Sequence, residues 1–210
     1  MRRGGFGRVR VAAIVTFLGL LGVFFTSPAS AIDVGWIGPA PLELNGLDSV
    51  AAQSSRAMSP DPRQYHYMAF DSESQLSVLF GGQGMGLGDD FDDTWSYDAG
   101  TGLWTEHDPA AKPSARSGHS LAYDAESDRV VLFGGGAGVI ALGDTWAYHL
   151  NDEEWRNMAP TGGPAAVLGH RMAYDAQSDR VILFGGMEEV FPLRVSDETW
   201  AYDLNTNTWT

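Results

Sequence analysis

The sequence predicts an all-β chain made of three copies of one four-stranded antiparallel unit, each a blade of a β-propeller. Three observations carry this prediction. An apolar run ending in Phe-Gly-Gly occurs three times, at Leu76 to Gly82, Arg129 to Gly135 and Arg180 to Gly186, with the phenylalanines 53 and 51 residues apart. Matching strings flank every copy: "AFD", "AYD" and "AYD" end at Asp71, Asp124 and Asp175, while "DTWSYD", "DTWAYH" and "ETWAYD" begin at Asp93, Asp144 and Glu198. A second tryptophan then follows the first by nine residues, as Trp104, Trp155 and Trp209. A period of about 50 residues is that of a four-stranded propeller blade.

Turn chemistry divides each unit into four strands. In the middle copy, strand one is expected near Gly118 to Tyr123, and Asp124-Ala-Glu-Ser-Asp128 turns the chain. Strand two is Arg129 to Phe133, and a Gly-rich loop from Gly134 to Gly143 leads to strand three at Thr145 to His149. Asn151 to Glu154 turns again into a fourth strand that starts at Trp155; the same turn in the last copy reads "DLNTNTW". Asn and Asp suit such hairpins. Trp146 and Tyr148 lie two apart and so share a face of strand three, which suits packing against a neighbouring blade.

The Gly-Gly pair fits a strand in the crowded region near the propeller axis, whose exit bends sharply. Glycine permits positive φ and close backbone approach there. A phosphate-binding loop is a poor alternative, because no copy continues as G-x-x-x-x-G-K-[ST] and a strand follows.

The full string is H-x-[LM]-A-[YF]-D, an apolar strand, FGG, a long loop, D-T-W-x-Y-D and then W. It resembles the kelch repeat from Arg63 to Thr210. The repeat's defining glycine doublet, strand-three tyrosine and strand-four tryptophan are here Gly81, Gly82, Tyr97 and Trp104; Gly134, Gly135, Tyr148 and Trp155; Gly185, Gly186, Tyr202 and Trp209. The resemblance implies blades at 61–112, 113–163 and 164–210 of a six- or seven-bladed propeller, the last blade truncated in its fourth strand. Propellers close with four to eight blades, so further blades or a second copy are needed to complete the ring. Trp36, within the linker 32–60, is a candidate closing strand.

The N-terminal residues have a different character. Arg2, Arg3, Arg8 and Arg10 precede an apolar run from Val11 to Phe25, and Ala29-Ser30-Ala31 supplies small residues for cleavage. This pattern predicts a signal peptide at 1–31 and a secreted or cell-envelope protein, with an uncleaved anchor as the alternative. Cleavage would remove four arginines and no acid, taking the formal charge from −14 to −14 − 4 = −18. Such acidity disfavours nucleic acid and anionic membrane surfaces as partners. With no cysteine, stability must come from a core rather than from disulfides.

Candidate chemistry is sparse. Arg63 and Arg116 sit at equivalent entries to strand one, and Val167 takes that place in the third copy. Kelch domains that bind acidic peptides line their pocket with arginines at similar places, so the resemblance makes both binding candidates. A salt bridge to a nearby acid is the plainer role. His66, His119 and His170 recur in strand one, as core residues hydrogen-bonded to backbone rather than as metal ligands. Asp89, Asp90 and Asp92 form a weak calcium candidate in a string that lacks ion-wrapping spacing.

No nucleophile elbow or zinc-protease histidine pair occurs, and no cofactor is expected. Galactose oxidase also uses a kelch-like propeller, but its copper site needs a tyrosine crosslinked to cysteine, which this chain cannot make. The expected function is an exported binding module that takes a protein or a glycan on its loop face. The alternatives are the propeller of an extracellular carbohydrate-active enzyme, of oxidase or sialic-acid-processing type, and a structural surface protein.

Overall fold

A computed structural model of the chain describes residues 58–86, 88–190 and 192–210. The signal peptide expected at 1–31 and the closing strand suggested at Trp36 lie outside them. Among the described residues no helix is long and apolar enough to cross a membrane.

The first copy folds as β1 (Tyr67–Asp71), β2 (Leu76–Phe80), β3 (Thr94–Asp98) and β4 (Leu103–His107), paired antiparallel in chain order. The second contains β5 (Ser120–Asp124), β6 (Arg129–Phe133), a small hairpin of β7 (Gly136–Ala137) and β8 (Ile140–Ala141), then β9 (Thr145–His149) and β10 (Glu154–Asn157). The third contains β11 (Arg171–Asp175), β12 (Arg180–Phe184), a hairpin of β13 (Met187–Glu189) and β14 (Arg194–Val195), then β15 (Thr199–Asp203) and β16 (Thr208–Trp209). Register repeats with the sequence: Ala69 pairs Val78 and Val78 pairs Ser96, as Ala122 pairs Val131 and Val131 pairs Ala147. These are the three expected four-stranded sheets, here called blades 1 to 3.

Local chemistry explains the turns. The Asp that ends each first strand folds its carboxylate back onto the turn: Asp71 accepts from the backbone N–H of Glu73 and Ser74, and Asp124 from that of Glu126 and Ser127. Such side-chain acceptors replace the ladder bonds that the turn gives up. The residue before β2, β6 and β12 has positive φ in all three copies (Gln75, Asp128 and Asp179), as hairpins of this length favour.

The core lies between blades, not within a sheet. Along β6, Val130 and Leu132 face blade 1 and pack with its Val78 and Phe80 and with Trp155 of their own blade; Val131 and Phe133 face blade 3, where they meet Val181, Leu183 and Trp209. A strand buried on both faces reads as a continuous apolar run, which accounts for "RVVLF". The strand-four tryptophan of one blade wedges into the blade before it. Trp155 lies 5.1 Å from the Phe80 ring and donates from Nε1 to Thr94 Oγ1 at 2.9 Å; Trp209 does the same to Phe133 and to Thr145 Oγ1, at 5.1 and 3.1 Å.

The structure corrects four expectations. The strands that approach one another from blade to blade are β1, β5 and β11, so the Phe-Gly-Gly strand is second from the inside. Its glycines answer to close approach all the same: a Cβ on Gly135 would lie 2.8 Å from the Cβ and N of His119. Of the aromatic pair in strand three, Tyr148 is fully buried, but Trp146 is only half-buried and spends its Nε1 on Asp144. The strand-four indoles make the inter-blade wedge instead. Gly118 falls outside β5 because its N–H goes to the Tyr65 carbonyl of the previous blade rather than to a ladder. The loop from Gly134 to Gly143 folds as the β7–β8 hairpin.

Two outcomes test this packing. Trp155→Ala should cost about 3–5 kcal/mol in urea denaturation; a loss below about 1 kcal/mol would remove the indole from the core. Gly138 has φ of +63° with open space around it, so Gly138→Ala should cost only the left-handed strain of about 1–2 kcal/mol. Gly135→Ala adds overpacking against His119, for a total of about 2–5 kcal/mol. Equal losses for the two alanines would show that close approach is not what requires Gly135.

Candidate interaction surface

The loops from strand two to strand three meet the chain entering strand one at the same end of the blades. Their first residues pair with that entry in every copy: Gln83 with Gln64, Gly136 with Ser117, and Met187 with Leu168. The same loops join across blades. Gly138 N–H donates to Asp90 Oδ2 at 2.9 Å, linking the blade 1 loop to the tip of the β7–β8 hairpin, and β8 packs beside β13. The three loops therefore form one continuous ridge. Its tips expose apolar side chains, Met85 in blade 1, Val139 and Ile140 in blade 2, and Leu193 and Val195 in blade 3. Carboxylates surround them: Asp89, Glu189 and Asp197 are exposed, and none of the three is in an ion pair among the described residues.

Beneath the ridge the two arginines are fixed inside their blades. Arg116 holds Asp144 through two hydrogen bonds, at 2.6 and 2.8 Å, and gives its remaining donors to the Gly134 carbonyl, the Ser114 carbonyl and Ser114 Oγ. Its residue exposure is 1%, so no donor faces the ridge. Arg63 repeats the grip on Asp93 at 2.6 and 2.8 Å and on the Gly81 carbonyl, with its guanidinium 4.1 Å above the Phe91 ring. Trp95 and Trp146 complete the clamps by donating to the same two carboxylates. Despite partial burial, which raises them, the carboxyls of Asp93 and Asp144 stay below the usual range because the arginine contacts and the indole bond outweigh it. In blade 3 the clamp is missing its cation. Val167 replaces the arginine, and Trp200 donates to Glu198.

The histidines are core residues, as the sequence suggested. His119 and His170 are buried, and none of their ring nitrogens has a hydrogen-bond partner among the described residues. Each imidazole packs edge-on to the phenylalanine of the preceding blade, His119 on Phe80 and His170 on Phe133, both at 5.6 Å. Burial, reinforced by the Arg116 charge, pushes the His119 pKa down to about 3; burial with the Arg171 charge takes His170 down to about 4.

The aspartates of "GDDFDD" disperse. Asp89 caps the Gly86 N–H, Asp90 reaches Gly138, Asp92 pairs with Lys112 at 3.2 Å and Asp93 belongs to the arginine clamp. Among the described residues, no group of three or more acidic or histidine side chains is placed to hold a metal ion. The sequence placed binding on the face these loops share; what it did not reveal is that they join into one ridge. Its apolar tips fall in the segments where the three copies agree least, and only the exposed "VI" inside a Gly-rich loop hinted at a hairpin.

Acid should expose the neutral burial of the histidines. An unfolded histidine takes up its proton near pH 6.5, whereas His119 and His170 stay neutral in the folded chain until about pH 3 and 4. Stability that is complete above pH 6.5 is then lost as the pH falls toward 4, by up to about 1.4 kcal/mol per pH unit per histidine. A variant with His119→Leu and His170→Leu should show a flatter slope of stability between pH 6.5 and 4.5 in urea titrations. If that variant does not fold, NMR of the wild type decides: imidazole resonances of both residues that titrate above pH 6 would refute neutral burial.

Comparison with known proteins agrees with the repeat. The family profile described as "KLHDC2/KLHL20/DRC7 Kelch-repeats domain" matches residues 47–210. The chain is 30% identical over 161 residues to an F-box/kelch-repeat protein of Arabidopsis thaliana, which covers 70% of this chain and 32% of that protein. It is 28% identical over 102 residues to Mei4-dependent protein 6 of Schizosaccharomyces pombe, covering 46% of this chain and 15% of the relative. Multiple epidermal growth factor-like domains protein 8 of Mus musculus matches at 28% over 120 residues, 54% of this chain and 4% of its own length. The chain thus spans at most about a third of these curated relatives. With three blades in one register and the profile match across them, the chain belongs to the kelch-repeat family.

Proposed function

We propose that this kelch-repeat chain is an exported protein-interaction module whose ligand is a protein segment, basic and partly apolar, held on the loop ridge. The carrying observation is the ridge: three joined loops with exposed apolar tips, Met85, Ile140 and Leu193 among them, set in unpaired carboxylates. A kelch-repeat domain supplies a rigid scaffold, and binding residues concentrate on loops held by one. Apolar tips contribute buried area to a contact, and the carboxylates favour a cationic partner and speed its approach. The arginines are engaged within their blades, so acidic peptides are the disfavoured class. Export rests on the basic, apolar and small-residue order of residues 1–31.

Arrays of synthetic peptides and of glycans test the reading directly. The purified chain should retain basic peptides that contain Leu, Ile or Phe, and retention should fall with salt. Met85→Ser with Ile140→Ser and Leu193→Ser should weaken it by at least about tenfold. Retention on glycans instead, or peptide retention unchanged in the triple variant, would overturn the proposal.

A further inference from the structure

Strand two opens on an arginine in blades 2 and 3, and the two arginines share a pose but not a partner. Arg180 Nη1 donates to the carbonyls of Ser178 and Asp179, and its Nη2 pairs with Asp203 Oδ2 at 3.0 Å. Arg129 Nη1 donates likewise to the carbonyls of Ser127 and Asp128, at 3.2 and 2.8 Å. At the end of strand three, however, blade 2 has His149 where blade 3 has Asp203. His149 engages both acids beside it, Asp128 through Nε2 at 3.0 Å and Asp152 through Nδ1, and so keeps them from the arginine. The half-buried Arg129 guanidinium has no carboxylate partner among the described residues.

Arg129 lines a cavity of about 180 Å³ at the junction of blades 2 and 3. Ala147, Met158 and Leu204 supply its apolar wall, while Arg156 and Glu154, paired with each other at 3.1 Å, stand at its exposed rim. Its two sides are fixed together, because Asn207 of blade 3 donates from Nδ2 to the Met158 carbonyl of blade 2 at 2.8 Å. The site lies toward the turns between strands three and four, at the end of the blades opposite the ridge. Blade 1 lacks this polar lining: Leu76 stands at the position of Arg129, Leu103 at that of Glu154 and Thr105 at that of Arg156. At the junction of blades 1 and 2, Leu76 packs on the apolar cluster that contains Leu150. The charged groups are therefore not what the repeat needs in order to pack.

We propose that this cavity is a second binding site, separate from the ridge, for a small organic carboxylate. The head of the ligand meets Arg129 as Asp203 meets Arg180, and a short apolar tail lies against Met158 and Leu204. A guanidinium presents its donors in a plane that matches a carboxylate. The volume equals that of about six waters in the liquid, which limits the tail to a short chain or a single ring. The field of a chain with formal charge −14 opposes an anion at long range. Affinity therefore rests on the local pair and on the buried tail, and belongs in the range of about 1 mM.

NMR titration of the isotopically labelled full chain with butyrate and with benzoate tests this. Saturable shifts at the Arg129 Nε–H and at the amides of Ala147 and Leu204 should give a dissociation constant below about 5 mM. Butyramide and benzamide, similar in shape but uncharged, should bind at least about tenfold more weakly. Arg129→Leu installs the residue that blade 1 carries, so the chain should fold and lose carboxylate affinity by at least about tenfold. His149→Asp with Asp152→Thr installs the residues of blade 3 and should have the same effect, by giving Arg129 an internal carboxylate. Inorganic phosphate, charged but without a tail, should bind more weakly than benzoate. Shifts that do not saturate by about 50 mM would overturn the proposal. So would amides that bind as well as the acids, phosphate that binds as tightly as benzoate, or a folded Arg129→Leu chain with unchanged affinity. Should Arg129→Leu fail to fold, the comparison of acids with amides on the wild type decides.

Discussion

The contact on which the rest of the structure depends is the wedge between successive blades. A strand-four indole and the imidazole just before strand one enter from one blade and close on the phenylalanine of the blade before it, while the indole N–H goes to a buried threonine. A sheet of four short strands has little interior of its own, so its apolar side chains are useful only when a second sheet covers them. That requirement links features that look separate in the sequence. The phenylalanine needs the next blade's histidine, the histidine needs a glycine whose missing Cβ leaves it room, and the tryptophan needs the threonine that opens strand three. A change at any of these positions is felt at the others, because packed neighbours do not contribute independently.

The arginine clamp is subordinate to the wedge, and blade 3 supplies the argument. Val167 replaces the arginine, is 3% exposed and joins the apolar cluster between blades 2 and 3. Its backbone still performs the inter-blade bonding that Arg116 performs, accepting from Gly135 and donating to Leu142. The position is needed for its backbone, and its side chain can be either a paired cation or an apolar filler. A buried ion pair and a well-packed apolar replacement are often close in stability. In blades 1 and 2 the clamp fixes the entry of strand one against the start of strand three, and so sets the level from which the loops rise.

Much of the fold was legible because its physical constraints recur every 50 or so residues. Strands two and three of the middle blade match their predicted limits, since a doubly buried strand and the "TWxY" string allow little else. Strand one was placed two residues early, because nothing local to Gly118 reveals that its N–H serves the neighbouring blade. The arginines drew attention for the right reason, their equivalence, yet equivalence in a repeat marks what every blade needs for packing. The histidines follow the same logic: their enclosure was legible, their edge-on packing was not, because ring orientation depends on Phe80 and Phe133 in another blade.

The positions at which the copies disagree then carry the rest of the information. Blade 1 has an acidic loop, blade 2 a tight hairpin with Val139 and Ile140 at its tip, and blade 3 a longer hairpin with Leu193 and Val195 exposed. Had these loops served only to connect strands, the shortest of them would suffice three times over, and exposed Val and Ile would add a solubility cost without benefit. Instead each loop is anchored at its base by the same bridge to the strand-one entry and differs only beyond it. The repeat therefore separates two kinds of selection within a single unit. Its interior is held to one solution by inter-blade packing, and its ridge is free to vary because the wedge and the bridge fix where every loop begins.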